Sequence, residues 1–167
     1  MPKTSNPLNQ KGMVTILELT VAVAILLVMT SIIAFYLKPV KNQQRGKDAA
    51  RITDIFTISR AIEEYRLDKN VLPDVINTTR TSNILPVGNT SLSSANSGWI
   101  DADFLGYLTR LPVDPVNTGA NVYKYRTNGT TYELNAVLEI DNEKLMQNDG
   151  GNNTAVYEKG TNLTLIN

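Results

Sequence analysis

The sequence predicts an α+β protein: a long N-terminal helix, membrane-spanning in its first half and amphipathic in its second, packed on a small antiparallel sheet. Three observations carry that expectation. An uncharged run of 19 residues extends from Leu19 to Leu37. Apolar residues then recur at a helical period from Ile52 to Tyr65, and two segments of alternating pattern flank Asn128-Gly129.

The first run comes from Val14 to Leu37, rich in Leu, Ile, Val and Ala. As a helix rising 1.5 Å per residue, its uncharged part spans about 28 Å, close to the hydrocarbon thickness of a bilayer. A cleaved secretory signal has a shorter apolar region ending in a small-x-small site, whereas this run ends in Phe35-Tyr36-Leu37-Lys38. Glu18 lies one turn inside it. A carboxylate there is costly, up to about 3 kcal/mol at the centre of a bilayer and less near its edge, and it is read by default as functional with a partner to be named. Its alternatives are a carboxylate that snorkels to the interface or one that is protonated. Charge does not orient the span by itself: Lys3 and Lys11 precede it, but Lys38, Lys41, Arg45 and Lys47 follow it.

Beyond Pro39, which is expected to kink the helix, Ile52, Ile55, Ser59, Ile62 and Tyr65 mark one stripe with Ile58 and Ala61 beside it. Arg51, Asp54, Arg60 and Glu63 face elsewhere on this pattern, so the segment reads as a helix packed on one side. Asn70 followed by Pro73 is its expected stop. Residues 74–98, rich in Thr, Ser, Asn and Gly, read as a long surface loop. Trp99, Phe104, Leu105, Leu108 and Leu111 have spacings suited to a short helical turn closing on the core, stopped by Leu111-Pro112-Val113-Asp114-Pro115.

Two strands are expected next, over Asn121 to Arg126 and Thr131 to Leu138, joined by a two-residue type I′ turn at Asn128-Gly129. That turn sets Tyr125 opposite Tyr132, Tyr123 opposite Leu134 and Lys124 opposite Glu133, with the tyrosine face covering the helix. Ala155-Val156-Tyr157 and Asn162-Leu163-Thr164-Leu165 are expected to add one or two short strands. Between them Asp141, Glu143, Asn148, Asp149, Asn152 and Asn153 form an oxygen-rich loop with Gly150-Gly151. Asp141 and Asp149 are its weak calcium candidates, since calcium takes six to eight oxygens, although no EF-hand spacing is present. No other cofactor is expected.

The chain holds 16 basic and 16 acidic residues and neither His nor Cys. Ser-His-Asp and Cys-His catalysis, imidazole metal sites and disulfides are therefore excluded. Seven bases against four acids over residues 38–66, and seven against eleven over 67–167, make the chain polar end to end. Nucleic-acid binding is not indicated.

Lys11-Gly12-Met13-Val14-Thr15-Ile16-Leu17-Glu18-Leu19, followed by the apolar run, resembles the prepilin signature of type IV pilins and type II secretion pseudopilins. Arg51 to Pro73 resembles the second half of the pilin helix, and Pro112-Val113-Asp114-Pro115 is similar to a Pro-x-Asp-Pro stretch of the same family. The resemblance implies a non-enzymatic filament subunit, made as a single-pass precursor in the cytoplasmic (inner) membrane with its leader in the cytoplasm. It further implies removal of that leader by a prepilin peptidase, N-methylation, and packing of the helix into a homo-oligomeric filament at the cell surface or in the periplasm. Membrane lipid before assembly, the peptidase and an inner-membrane assembly platform are the implied partners. Glu18 would pair with the N-terminal amine of the neighbouring subunit.

One departure bears on the cleavage site. The family's Glu is the fifth residue after the Gly, and here Glu18 is the sixth after Gly12. Cleavage after Gly12 makes Met13 the first, methylated residue; cleavage after Met13 makes Val14 first and restores the family register. The first is preferred. The expected organisation is a leader over 1–12, the membrane and assembly half of the helix over 13–37, its amphipathic half over 38–72, and a small head with a loop and antiparallel strands over 73–167. A type IV pilus subunit and the major pseudopilin of a type II secretion system both fit. A single-pass anchor displaying a binding domain is the rival from another class. Some secretion pseudopilins hold calcium in a C-terminal loop, which is where Asp141 and Asp149 lie.

Overall fold

The structure, a computed structural model, describes residues 14–141 and 144–166, without the side chains of residues 36–39. Helix α1 covers Ile16–Lys69 and continues through Pro39 as one element. The described residues form two compact units that part after Val40. Four strands follow, β1 (Arg80–Thr81), β2 (Lys124–Thr127), β3 (Tyr132–Ala136) and β4 (Tyr157–Gly160), with a four-residue helix α2 (Leu145–Asn148) between the last two. They make one antiparallel sheet in the order β1-β2-β3-β4. The fold is α+β, a long helix and a small antiparallel sheet, as the residue pattern predicts.

Within the second unit the helix stripe does what its period requires. Ile55, Ile58, Ala61 and Ile62 are buried and pack with Tyr125, Tyr132 and Leu134 of the sheet, with Tyr123 just before β2, and with Trp99, Phe104 and Leu111. Burying a large apolar side chain stabilises by about 1.5–3 kcal/mol. The tyrosine hydroxyls also find partners, as buried hydroxyls must: Tyr123 donates to Asp54 Oδ2 at 2.8 Å, Tyr125 to the Pro73 carbonyl at 2.8 Å, and Tyr132 shares a 2.9 Å bond with Ser59. Ser59 is thereby explained inside an apolar stripe. The helix ends at Lys69 because Asn70 takes a left-handed conformation (φ 60°) and its N–H reaches the Arg66 carbonyl at 2.9 Å.

Arg51 departs from the expected pattern. The helical period sets it on the outer face, and it is fully buried. Its guanidinium binds Asp114 through two nitrogens (Nε at 2.7 Å, Nη2 at 3.2 Å) and Asp48 and Glu139 through Nη1 (2.9 and 3.0 Å). Burial disfavours the charge, but the bonds to Asp114, Glu139 and Asp48 outweigh it and hold the Arg51 pKa above its ordinary value. The carboxylates extend the network into backbone: Asp48 accepts Glu139 N and Ile140 N, and Asp114 accepts Val116 N and Asn117 N. One arginine thus joins the helix, the Pro112–Pro115 segment and the chain leaving β3. Helical periodicity scores an arginine as polar and outward, and it carries no information about carboxylates 63 or more residues away.

Other expectations need correction. The hairpin pairs Thr127 with Tyr132, Tyr125 with Leu134 and Arg126 with Glu133, so four residues connect the strands in place of two. A type I′ turn needs positive φ at both central residues; Gly129 has it (φ 89°) and Asn128 does not. The Asn128 Oδ1 instead accepts Thr130 N and Thr131 N (3.0 and 2.8 Å) and caps the longer turn. The slip is two residues, so every side chain keeps its face. Segment 74–98 is not bare loop: it contains β1, buried Ser82 and buried Ala95. Over 99–111 no helix forms and the chain runs as bends with a turn at 105–107, yet Trp99, Phe104 and Leu111 reach the core, while Leu105 stays 58% exposed. The C-terminal region gives one strand, β4, while residues 162–165 form none.

β3 is buried on both faces. Its far side, with Glu133 and Asn135, is covered by the chain at 149–153 and at 161–166. Glu133 Oε2 accepts Leu165 N and Ile166 N (2.6 and 2.9 Å), and Glu158 Oε2 accepts Asn153 N (2.9 Å).

Two substitutions test these supports. Gly129→Val meets a positive φ and the Ile76 Cδ1 atom 2.9 Å from its new Cβ; thermal unfolding should show a loss of about 1 kcal/mol or more. Arg51→Met leaves Asp114 and Asp48 without their cation and Glu139 with only Lys47, 3.8 Å away, and denaturant unfolding should show a loss on the order of 3 kcal/mol. An Arg51→Met chain as stable as the parent would contradict the network's role.

Candidate functional site

Residues 14–35 expose every side chain, with Ile16 84% and Leu17 75% accessible. This is the helix long and apolar enough to cross a membrane, by length and composition, and no part of its apolar window is buried by the rest of the chain. An apolar stripe packs against a protein core; a helix apolar on all sides requires lipid or other helices around its whole circumference.

Its polar side chains fit such surroundings. Thr20 Oγ1 donates to the Leu17 carbonyl (2.8 Å), Thr30 Oγ1 to Leu26 and Leu27 (2.9 and 3.0 Å), and Ser31 Oγ to Leu27 (2.7 Å). Each hydroxyl is satisfied within its own helix, which removes the cost of carrying it into hydrocarbon. Glu18 is the charged exception between Val14 and Leu37.

The start of the helix gives Glu18 a local role. Thr15 Oγ1 accepts the Glu18 N–H at 3.2 Å, so Thr15 is the N-cap and Glu18 stands three positions on, in the first turn. Thr15-Ile16-Leu17-Glu18 is the Thr-x-x-Glu spacing of a capping box, and this was the sequence signal that could have located the N-cap. The cap and the macrodipole each contribute roughly 0.5–1 kcal/mol. A carboxylate at mid-bilayer costs about 3 kcal/mol, so placement near the end of the run, more than the cap, makes Glu18 tolerable in lipid.

The other predicted site residues are dispersed. Gly12 and Met13 lie outside the described residues, as does Glu143. Asp141 closes the start of α2, accepting Leu145 N (2.6 Å) and Met146 N (3.3 Å). Asp149 accepts Gly151 N (2.9 Å) and Glu158 N (2.7 Å). Each thus serves its own turn, and no group of three or more acidic side chains placed to hold a metal occurs among the described residues.

Compared with protein-family models, with curated proteins and with solved structures, the chain gives no match in any of the three. If the apolar helix resides in lipid, Leu27→Arg at its middle should cost about 3 kcal/mol of insertion. The membrane fraction that resists alkaline extraction should fall several-fold. Unchanged retention would show that the helix is held by something other than the bilayer.

Proposed function

We propose that this chain is the structural subunit of a type IV pilus-like filament, inserted in the membrane as a precursor, cleaved, N-methylated and assembled through its N-terminal helix. The observation that carries this reading is a helix bare and apolar on every side that bears one carboxylate in its first turn. Lipid can surround such a helix before assembly, and identical helices can surround it afterwards. The resemblance of Lys11 to Leu19 to the prepilin signature supplies the reason to prefer a filament over a simple anchor. The major pseudopilin of a type II secretion system is the second reading, supported by the same residues and by the resemblance of Arg51 to Pro73.

In this mechanism cleavage after Gly12 leaves an amine on Met13, and Glu18 of one subunit meets the amine of its neighbour. A pair about 4 Å apart gains about 4 kcal/mol at an effective dielectric of 20, before desolvation is subtracted. The attraction sets axial register, while packing among Leu19 to Leu37 of adjacent chains provides most of the cohesion.

The experiment is the full chain carrying Glu18→Gln, expressed with its assembly machinery. Membrane insertion and leader removal, followed by the mass of the mature N-terminus, should be unchanged, and the yield of sheared filaments should drop by about tenfold. Equal filament yield would remove the charge pair from the mechanism, and intact Met1 in assembled material would remove the processing step.

A further inference from the structure

The far face of the sheet holds a group of buried oxygens that nothing in the proposed assembly uses. Glu133 (0% exposed) and Asn135 lie two residues apart on β3, and Glu158 (2% exposed) is paired directly with Asn135 from β4. Paired and alternate residues of adjacent strands share a face, so the three side chains stand together. Each carboxylate has one oxygen engaged by backbone: Glu133 Oε2 by Leu165 N and Ile166 N, Glu158 Oε2 by Asn153 N. The other oxygen of each, Oε1, is buried without a hydrogen-bond partner, as is Asn135 Oδ1. On that face Glu133 and Glu158 are diagonal neighbours on adjacent strands, near enough for the Glu133 charge to act on the Glu158 carboxyl.

The surroundings do not neutralise them. Among the described residues neither carboxylate forms an ion pair. On β2, Arg126 is the register partner of Glu133, but its guanidinium bonds Thr79 Oγ1 at 3.4 Å; Lys124 is the partner of Asn135. The chain packed over Glu158 adds a further negative group, Asp149, whose Oδ2 accepts Glu158 N. Gly151 lies so close that a Cβ there would collide with the Glu158 carboxylate, whose Oε1 is buried. Two facing buried carboxylates cannot both stay ionised at low cost, and a hydrogen bond between them requires one proton.

We propose that Glu133 and Glu158 share a single proton across the back of the sheet, and that this proton latches the chain at 149–153 and the C-terminal strap at 161–166. With the proton present, one Oε1–H donates to the other Oε1, and the pair carries one negative charge. Its loss to solvent leaves two charges facing each other, and relief comes by moving whichever carboxylate anchors the looser cover.

The direction of the pH dependence follows. Burial, with Glu133 and Asp149 nearby, raises the Glu158 pKa to about 7 from its ordinary 4.5. Because the folded state holds the proton more tightly than the unfolded chain, the stabilisation is complete below about 4.5 and is lost as pH rises through about 7.

The test is thermal unfolding of the full chain in detergent micelles from about pH 5 to about pH 8, with chelator or with millimolar calcium. The wild-type Tm should fall by roughly 5 °C over that range. Glu158→Gln, whose amide can donate to Glu133 without a titratable proton, should flatten the profile and exceed the wild type at the alkaline end. A flat wild-type profile, or an unchanged slope in Glu158→Gln, overturns the proposal. So does calcium that restores the wild type at high pH and leaves the variant unaffected, because the pair would then hold a cation. Infrared difference spectroscopy on the wild type keeps the test decisive if the variant misfolds. A protonated-carboxyl band that disappears across neutrality supports the latch, and its absence overturns it.

Discussion

The head depends on a buried arginine. Arg51 sits at 0% exposure among Asp48, Asp114 and Glu139, and it is the point where the helix, the Pro112–Pro115 segment and the chain after β3 are held in one place. A buried ion pair is seldom better than a well-packed apolar group in energy alone, because desolvation consumes much of the attraction. Its value here lies in geometry. The bidentate fork on Asp114 admits one orientation, and the same two carboxylates, Asp48 and Asp114, also accept four backbone amides of two loops. Tyr123, hydrogen-bonded to Asp54 one turn along, then presses β2 on the same helix.

Two different solvents are written into one helix. Over 14–35 the side chains are apolar around the full circumference and the hydroxyls bond to their own backbone. Over 51–65 a stripe of isoleucines and small residues faces a protein core while Arg60 and Phe56 remain outside. Phe56 is covered in part by the Lys159 ammonium, 4.5 Å from its ring centre. Among the described residues the first pattern stays exposed to its surroundings, and the second is buried against its own core.

What was legible in the sequence follows this division. Long runs and simple periods state their environment directly, so the apolar run, the isoleucine stripe, the Asn70 stop and the tyrosine face could all be read from spacing. Side-chain chemistry acting across the fold could not. Arg51 appears polar and outward until Asp114 is brought to it, and alternation alone cannot distinguish the two hairpin registers, because they present identical faces. The decision lay with the Asn128 carboxamide. Nothing in the spacing of Glu133, Asn135 and Glu158 announces that residues 149–153 and 161–166 fold back over them. Thr15 was the reverse case, a readable capping signal overshadowed by the apolar run it begins.

The spacing of the arginine network along the chain also orders events during synthesis. Asp114 is 63 residues beyond Arg51, and the amides that Asp48 binds are 91 and 92 residues beyond it. Closing such loops carries an entropic cost that no local contact offsets, and folds built on distant contacts form slowly. As the nascent chain emerges, Leu19 to Leu37 is available to lipid long before Asp114 or β3 exists. On the proposed reading the apolar helix can therefore settle in a bilayer while Arg51 is still in water, and insertion and head formation are separated in time by the order of the residues alone.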